Sequence, residues 1–246
     1  MEKIAIITGA YQGIGFETAK QLGIKGYKVV LADVQDCVEK ANELIKQGID
    51  AYSHHLDLSD ATTFDAVVGF IDMNFGKLDV LVNNAAILVD MGKHLTDLSE
   101  QEFRRIMEVN YIGPMLLTRK LIPLLKKSGE GRIVNLSTQV AQLEQLSDMN
   151  SPLKEDICAG YQSSKIGVQA MTVLFAKELE SFGIKVNSCC PGWVDSAMNT
   201  EELPDYGDEA RPKTVAEGAD TSVWLATLDE NGPTAGFFTD RKRIPW

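Results

Sequence analysis

The fold of this chain is decided by the stretch Lys3–Gly15, which has the sequence KIAIITGAYQGIG. The apolar run Lys3–Thr8 predicts a buried β-strand, and the apolar spacing over Ile14–Lys25 predicts an amphipathic α-helix directly after it. A turn rich in glycine joins the two. This order of strand, glycine-rich turn and helix is typical of α/β sheets that hold a phosphate group at the start of the helix.

The glycine turn has the composition of a pyrophosphate cradle. Gly9, Gly13 and Gly15 let the backbone turn sharply and approach phosphate oxygens without an intervening Cβ. The helix that follows offers unpaired N–H groups and a partial positive charge. We therefore expect these glycines, with Gln12 and Ile14 among them, to bind a dinucleotide; a tight turn without a ligand is the alternative.

Strand-like and helix-like segments alternate along the whole chain. The predicted strands are Lys3–Thr8, Lys28–Ala32, Ala51–Asp57, Leu78–Asn83, Arg132–Ser137 and Lys185–Cys190, with a shorter candidate at Gly236–Thr239. The predicted helices are Ile14–Lys25, Val38–Gly48, Asp60–Phe75, Glu100–Lys127, Tyr161–Phe182 and Val215–Leu228. This pattern predicts an α/β fold: one doubly wound (Rossmann) parallel sheet of about seven strands with helices on both faces. No linker or repeat divides the sequence, so we expect a single domain over residues 1–246.

The composition restricts the partners. Hydrophobic residues make up 44% of the 246 residues, enough for an ordinary core, and the net charge is −11. An acidic chain is a poor partner for nucleic acid or an anionic membrane. No apolar run approaches the ~20 residues of a membrane span, and Thr8 ends the first run too early for a secretory signal. We therefore expect no nucleic-acid or membrane partner and a cytoplasmic location.

The histidines and cysteines do not predict a metal site. His54 and His55 are adjacent in a predicted strand, as are Cys189 and Cys190, and adjacent strand residues point to opposite faces of a sheet. The chain also lacks a Cys-x-x-Cys pair. We expect neither a disulfide framework nor a bound metal ion.

A carboxylate at the end of the second predicted strand favours NAD over NADP. Asp33 follows Gly15 by 18 residues, close to the ~20 expected for the carboxylate that binds the adenosine ribose hydroxyls. A 2′-phosphate beside that carboxylate would be repelled by a few kcal/mol. The sequence neighbours Val34 and Gln35 carry no positive charge that could compensate. The alternative is a turn residue at a strand end.

Four residues are candidate catalytic residues. Tyr161 and Lys165 are four residues apart on a predicted helix and therefore lie on one face, where a lysine cation and an oxidised nicotinamide both favour the phenolate. Ser137 ends the fifth predicted strand at the edge where open α/β sheets bind ligands. Asn110 is an amide within a long apolar helix, and the alternative for it is a hydrogen-bonded core residue.

Together these motifs resemble the short-chain dehydrogenase/reductase family, and within it the carbonyl-reductase-like branch. The matching segments are Thr8–Gly15 for T-G-x-x-x-G-I-G, Asn83–Ala85 for N-N-A-G, Pro191–Val194 for P-G-x-V, the four reacting residues, and the end of the chain from Gly232 to Trp246. The resemblance covers essentially the whole chain.

The resemblance implies a role for each matching residue. Tyr161 is expected to be the general acid–base. Lys165 is expected to hold the nicotinamide ribose and to lower the pKa of Tyr161. Ser137 is expected to position the carbonyl oxygen, and Asn110 is expected to support a water-linked proton path. The further cofactor-binding residues that it implies are Asp57, which contacts adenine, Leu58, Asn84, Pro191, Gly192, Val194 and Ser196.

Three features depart from the family pattern. Ala86 replaces the glycine of N-N-A-G, and Ser137 and Tyr161 are 24 residues apart, which is longer than usual. Asp33 contrasts with the NADP preference that is typical of carbonyl reductases.

The expected function is hydride transfer between NAD(H) and a small, mainly apolar secondary alcohol, ketone or aldehyde. The segments 138–160 and 193–212 are expected to cover the substrate, with Trp193, Met198, Val140 and Leu146 as apolar walls. The alternatives are an NADPH-dependent carbonyl reductase, a non-catalytic regulator that senses the dinucleotide and, more remotely, a methyltransferase. The sequence leaves both a monomer and a homo-oligomer open.

Overall fold

A central sheet runs through the computed structural model, which describes residues 2–151, 157–198 and 212–246. The strands are β1 Lys3–Thr8, β2 Tyr27–Asp33, β3 Ala51–His55, β4 Val80–Asn83, β5 Arg132–Leu136, β6 Lys185–Cys189, β7 Phe237–Thr239 and β8 Lys242–Ile244. Their spatial order is β3-β2-β1-β4-β5-β6-β7-β8, and every pair is parallel except β7 with β8. The predicted doubly wound parallel sheet is confirmed.

The helices of the described residues follow the strands in alternation. They are α1 Gly13–Ile24, α2 Val38–Ile45, α3 Thr62–Phe75, α4 Glu100–Met107, α5 Gly113–Ser128, α6 Leu143–Ser147, α7 Ala159–Leu179 and α8 Val215–Ala226. In the part of the chain that the model describes, we find no helix with the length and hydropathy needed to cross a bilayer.

The sheet is apolar on both faces because successive strand residues enter two separate cores. On β1, Ile4 and Ile6 pack into the core that contains the buried faces of α3, α5 and α7, whereas Ala5 and Ile7 pack into the core under α1, α2 and α8. This arrangement explains the continuous apolar runs in the sequence, which are typical of parallel strands covered by helices on both sides.

The strand order reverses between β1 and β4. The helices next to this point, α1 after β1 and α5 after β4, therefore lie on opposite faces, which leaves a crevice at the carboxyl ends of these two strands. The glycine turn and the segment after Asn83 both begin at this crevice. The topology thus places the candidate site residues at one edge of the sheet.

The predicted helix Glu100–Lys127 is confirmed, since the chain is helical without a gap from Glu100 to Ser128. Within it, a π-helical turn at Glu108–Ile112 separates α4 from α5, and the sequence did not predict this turn. Asn110 lies inside the π-helical turn and hydrogen-bonds another segment through its side chain, which helical periodicity alone does not reveal. Ser99 and Glu102 form a capping box at the start of α4.

The sequence did not predict the antiparallel edge strand β8, which residues 242–244 form beside β7. The basic residues 241–243 are exposed. The turn before β8 places Asp240 and Arg241 at positive φ, 48° and 58°, without the glycine or asparagine that usually marks such a turn. The described part of the expected covering segment 138–160 contains a 3-10 turn at Gln139–Ala141 and α6.

Stability depends on the aromatic side chain of Phe64, which is fully buried on α3. We expect Phe64→Ala to lower the free energy of unfolding by about 3–5 kcal/mol, because apolar contacts are lost and a cavity remains. Chemical denaturation measures this change. Met73→Ala on the same helix is the control, since Met73 is 84% exposed and its truncation should change stability by less than about 0.5 kcal/mol. Equal effects of the two substitutions would contradict the described core.

Candidate active site

The glycine turn between β1 and α1 is shaped by close backbone contacts. Gly9 and Gly13 adopt positive φ angles of 66° and 60°, which glycine reaches without strain. A Cβ at Gly15 would lie 2.2 Å from the carbonyl oxygen of Gly9. The first turn of α1 has no side-chain cap and no acidic residue, so its N–H groups remain available to an anion.

Asn84 joins this turn to the end of β4. Its Nδ2 atom donates to the carbonyl oxygens of Thr8 and Gly9 at 2.8 and 3.0 Å. The backbone N–H groups of Asn84 and Ala85 donate to Thr8 Oγ1, each at 3.1 Å. Asn84 therefore acts on a ligand mainly by holding the turn in its open shape.

A cleft of about 440 Å³ extends from the glycine turn across the ends of β2 and β3. It is lined by ten of the residues predicted to bind the cofactor, namely Gly9, Gln12, Gly13, Ile14, Gly15, Asp33, Asp57, Leu58, Asn84 and Ser196. Ala86, which replaces the family's glycine, also lines it. These residues are separated by up to 187 positions in the sequence and meet in one concave surface.

The two carboxylates of the cleft are held by backbone groups and hydroxyls. Asp33 accepts hydrogen bonds from the N–H groups of Tyr11 and Gln35 at 3.0 and 2.9 Å. Asp57 accepts from the N–H and hydroxyl groups of Ser59 at 2.8 and 2.6 Å. Each carboxylate is therefore fixed in direction, which suits an acceptor for hydroxyl or amino groups of a ligand.

Arg105 also lines the cleft, and the sequence analysis missed it. Arg105 lies 72 positions after Asp33 in the sequence, so the neighbours of Asp33 give no sign of it. Arg105 comes from α4 and reaches the cleft through the packing of that helix, one turn before Val109, which lines the cleft as well. In the sequence, Arg105 and Val109 are linked only by their spacing: residues four apart on a helix share one face.

Ser137 lies directly after β5 and is 3% exposed. Its hydroxyl donates to the carbonyl oxygen of Lys165 at 3.2 Å and accepts from Gln169 Nε2 at 3.1 Å. These bonds hold Ser137 against the first turns of α7. Gln169 is a second residue that the sequence analysis did not identify, because its polar role depends on the packing of α7 against β5.

Tyr161 and Lys165 lie one turn apart on α7, as predicted. Lys165 Nζ donates to the carbonyl oxygen of Leu136 at 2.9 Å and lies 5.5 Å from the centre of the Tyr161 ring. Lys165 is 3% exposed, and burial lowers its pKa to about 8. Burial also raises the pKa of Tyr161, with smaller contributions from Cys158, Cys190 and Asp90 in the same direction.

The protein groups by themselves therefore favour the protonated phenol. The sequence analysis expected the lysine cation to favour the phenolate, but burial outweighs that attraction in the chain alone. Tyr161 as a whole residue is half-buried.

Asn110 uses its side chain to connect three segments. Its Oδ1 accepts from the N–H of Ile87 at 2.8 Å, and its Nδ2 donates to the carbonyl oxygen of Ile87 at 2.9 Å and to Ser164 Oγ at 3.1 Å. Ser164 Oγ in turn donates to the carbonyl oxygen of Tyr161 at 2.7 Å. Asn110 is 1% exposed, which fits the alternative of a hydrogen-bonded core amide. Its part in a proton path stays a prediction.

The predicted nicotinamide-side segment follows β6. Gly192 has a φ of 79°, and Lys213 Nζ donates to the carbonyl oxygen of Pro191 at 3.2 Å. Val194 is buried and forms an isolated parallel bridge with Lys213. Ser196 alone of the four predicted residues Pro191, Gly192, Val194 and Ser196 lines the cleft described above.

The segments predicted to cover the substrate lie only partly within the described residues. Met198 lines the cleft beside the glycine turn, and its side chain is 42% exposed. Val140 lies in the 3-10 turn after Thr138, and its carbonyl oxygen accepts from Gln162 Nε2 at 3.0 Å. Residues 199–211 of the predicted covering segment lie outside the described residues, as do residues 152–156.

Comparisons with known proteins agree with this fold. A family model described as short chain dehydrogenase matches residues 3–207. The chain is 30% identical to carbonyl reductase [NADPH] 1 of Sus scrofa, with 99% of this chain and 94% of that protein covered. It is 28% identical to (+)-neomenthol dehydrogenase of Arabidopsis thaliana, with 98% and 97% covered. The solved structure of salutaridine reductase from Papaver somniferum superposes with a TM-score of 0.78 at 28% identity, covering 97% of this chain and 100% of that one.

The fold and the cleft define an α/β oxidoreductase that binds a nicotinamide dinucleotide, NAD or NADP. The chain belongs to the short-chain dehydrogenase/reductase family and, within it, is similar to carbonyl reductases.

The buried lysine makes stability depend on pH. The pKa of Lys165 is about 8 in the folded chain and about 10.4 when unfolded, so between these values the unfolded chain binds more protons at this side chain. The free energy of unfolding therefore rises with pH in this window, because the cost of burying the cation disappears. We expect Lys165→Met to be more stable than the wild type at pH 8, and this difference to shrink by about 2 kcal/mol at pH 9.5.

Denaturation of both proteins across this pH range measures the effect. Lys177→Met is the control, since Lys177 is exposed on the same helix. A constant difference between Lys165→Met and the wild type over the whole range would contradict the lowered pKa.

Proposed function

We propose that this protein transfers hydride between NAD(H) and a small, mainly apolar secondary alcohol, ketone or aldehyde, with Tyr161 as the acid–base. One observation carries the proposal: the phenol of Tyr161 and the buried cation of Lys165 lie on one face of α7, and Ser137 at the end of β5 bonds to the backbone of that face. A protein that only binds a dinucleotide needs the glycine turn and the ribose carboxylate. It does not need Tyr161, Lys165 and Ser137 in this arrangement.

Tyr161 exchanges the proton with the substrate oxygen. The protonated phenol, which the protein groups favour, is the form that donates a proton to a carbonyl oxygen during reduction. Alcohol oxidation requires the phenolate and therefore gains from higher pH. The bound nicotinamide dinucleotide supplies or accepts the hydride at the substrate carbon.

Ser137 and Lys165 orient the groups around the phenol. The Ser137 hydroxyl is held between Gln169 and the backbone of α7, so it keeps one fixed position from which it can hydrogen-bond the substrate oxygen. Lys165 is anchored on the carbonyl oxygen of Leu136 and retains further N–H donors for a ribose hydroxyl.

The residues of the cleft fit an adenine dinucleotide. Glycines with positive φ line the turn, uncapped N–H groups begin α1, and two fixed carboxylates, Asp33 and Asp57, accept hydrogen bonds from hydroxyl or amino groups. In this proposal Asp33 binds the adenosine ribose and selects NAD, because a 2′-phosphate next to it would be repelled.

An NADPH-dependent carbonyl reductase is the second candidate. Arg105 lines the same cleft as Asp33 and is a cation that a 2′-phosphate could use. The Sus scrofa relative is also named for NADPH. The two candidates differ in whether Asp33 or Arg105 dominates the recognition of the adenosine ribose.

The proton-transfer role is tested by Tyr161→Phe. We expect kcat for the reduction of apolar ketones and aldehydes to fall by about 10² to 10⁴-fold, because the proton donor is lost, while NADH binding changes little. Turnover is followed by NADH absorbance and binding by NADH fluorescence. Tyr27→Phe is the control, since Tyr27 is a buried tyrosine at the amino end of β2. A wild-type protein that binds NADH but turns over none of these ketones and aldehydes would favour a dinucleotide sensor instead.

The choice of cofactor is tested by Asp33→Asn. We expect the affinity for NADPH to rise about tenfold, or ~1.4 kcal/mol, because the like-charge repulsion is removed. The single amide oxygen keeps one of the two N–H hydrogen bonds that the carboxylate accepts. Asp36→Asn is the control, since Asp36 is a nearby carboxylate that accepts from the N–H of Val38. A wild type that binds NADPH as tightly as NADH would support the second candidate.

A further inference from the structure

Helix α7 begins without a capping side chain of its own. Its N-cap residue is Cys158, which makes no side-chain hydrogen bond to the first turn, although the first N–H groups of a helix have no partner within it. Asp90 supplies the missing acceptor from another part of the chain. Its Oδ2 atom accepts from the N–H groups of Gly160 and Tyr161 at 2.7 and 3.1 Å.

The contact between Asp90 and the first turn of α7 is buried and leaves little space for a further side chain. Asp90 is 1% exposed, and a Cβ at Gly160 would lie 3.0 Å from Asp90 Oδ2 and 2.9 Å from Ile106 Cδ1. Glycine at position 160 therefore lets the carboxylate approach the start of the helix. A carboxylate also suits this place because the N-terminus of a helix carries a partial positive charge.

Asp90 belongs to the segment that forms one wall of the cofactor cleft. Residues 84–87 of this segment line the cleft, and Asp90 follows three positions later. Two backbone hydrogen bonds continue the attachment to the start of α7: Gly92 N to the carbonyl oxygen of Ile157 at 2.7 Å, and Ala159 N to the carbonyl oxygen of Lys93 at 3.2 Å. One continuous segment thus touches both the cleft and the tyrosine helix.

The backbone of Tyr161 is held at both of its polar groups. Its N–H donates to Asp90, and its carbonyl oxygen accepts from Ser164, which is bonded to Asn110 and through Asn110 to Ile87. Both sets of hydrogen bonds connect Tyr161 to residues 87–90. This segment therefore ties the backbone of Tyr161 to one wall of the cleft.

We propose that Asp90 is a positioning residue of the reaction: its carboxylate fixes the start of α7 and so holds the Tyr161 phenol at the correct place relative to the cleft. This inference rests on the proposed function of Tyr161. Asp90 does not touch the reacting atoms, and it acts through the backbone of residues 160 and 161.

The charge of Asp90 also reaches the phenol. The other titratable groups that face Tyr161 are Cys158 before α7, Cys190 after β6 and Lys165 on the next turn. An anion at Asp90 favours the protonated phenol, so its removal favours the phenolate. A residue with a purely structural role would not shift the pH dependence in this way.

Two substitutions separate the hydrogen bonds from the charge. Asp90→Ala removes both, whereas Asp90→Asn keeps an acceptor oxygen and removes only the charge. The Oδ1 atom of Asp90 has no hydrogen-bond partner among residues 2–151, 157–198 and 212–246, so an amide nitrogen there breaks no described bond. Asp60→Ala is the matched control, since Asp60 accepts from the N–H of Thr62 at the start of α3.

For Asp90→Ala we expect kcat to fall by about 10 to 100-fold, with KM for NADH changed less than about twofold. Amide hydrogen exchange in peptides that cover 157–164 should become about tenfold faster. Asp60→Ala should change neither quantity. Asp90→Asn should restore most of kcat and shift the midpoint of the kcat–pH profile for alcohol oxidation to lower pH by about half a unit.

Three results would overturn the inference: unchanged exchange at 157–164 in Asp90→Ala, a fall in kcat no larger than in Asp60→Ala, or an unmoved pH midpoint in Asp90→Asn. If Asp90→Ala does not fold, the midpoint of Asp90→Asn decides alone. A wild type without NAD(H)-dependent turnover would refute the proposed function, and the exchange measurement would still show separately whether Asp90 anchors α7.

Discussion

The hydrogen bonds from the Asn84 amide to the carbonyl oxygens of Thr8 and Gly9 hold together the two strand ends on which the cleft depends. The strand order reverses between β1 and β4, so no helix covers this point, and the carbonyl groups there need another partner. Asn84 supplies it and leaves no room for a side chain at Gly15, where a Cβ would lie 2.5 Å from Asn84 Nδ2. The glycine turn is thus a consequence of packing between strands as well as of ligand binding.

The crevice combines two different electrostatic environments. At the end of β2, Asp33 is an anion held by backbone N–H groups and open to the cleft. On α7, Lys165 is almost completely buried, and the cost of that burial lowers its pKa. Keeping a cation and a phenol in such a place costs stability, which is typical of a site where charge changes during a reaction. The segment 84–90 connects the two environments, because it lines the cleft at one end and caps the tyrosine helix at the other.

Much of this arrangement could be predicted from the sequence. The strand and helix order followed from apolar runs and helical spacing, since parallel strands covered on both faces leave a strong pattern. The prediction failed where a non-local contact decides the structure. The π-helical turn at Glu108–Ile112 accompanies the bonds between Asn110 and Ile87, and β8 forms through a turn with Asp240 at positive φ. Neither feature has a local signal in residue type or spacing.

By itself, the sequence determined the order of the elements, the glycine turn, Asp33 at the end of its strand and the shared face of Tyr161 and Lys165, because each of these depends on residues close together in the chain. Only the tertiary structure decided that Arg105 joins the cleft and that Asp90 caps α7. These contacts link residues that are far apart in sequence, and side-chain periodicity carries no information about which distant segment will satisfy a buried N–H group or present a cation to a cleft.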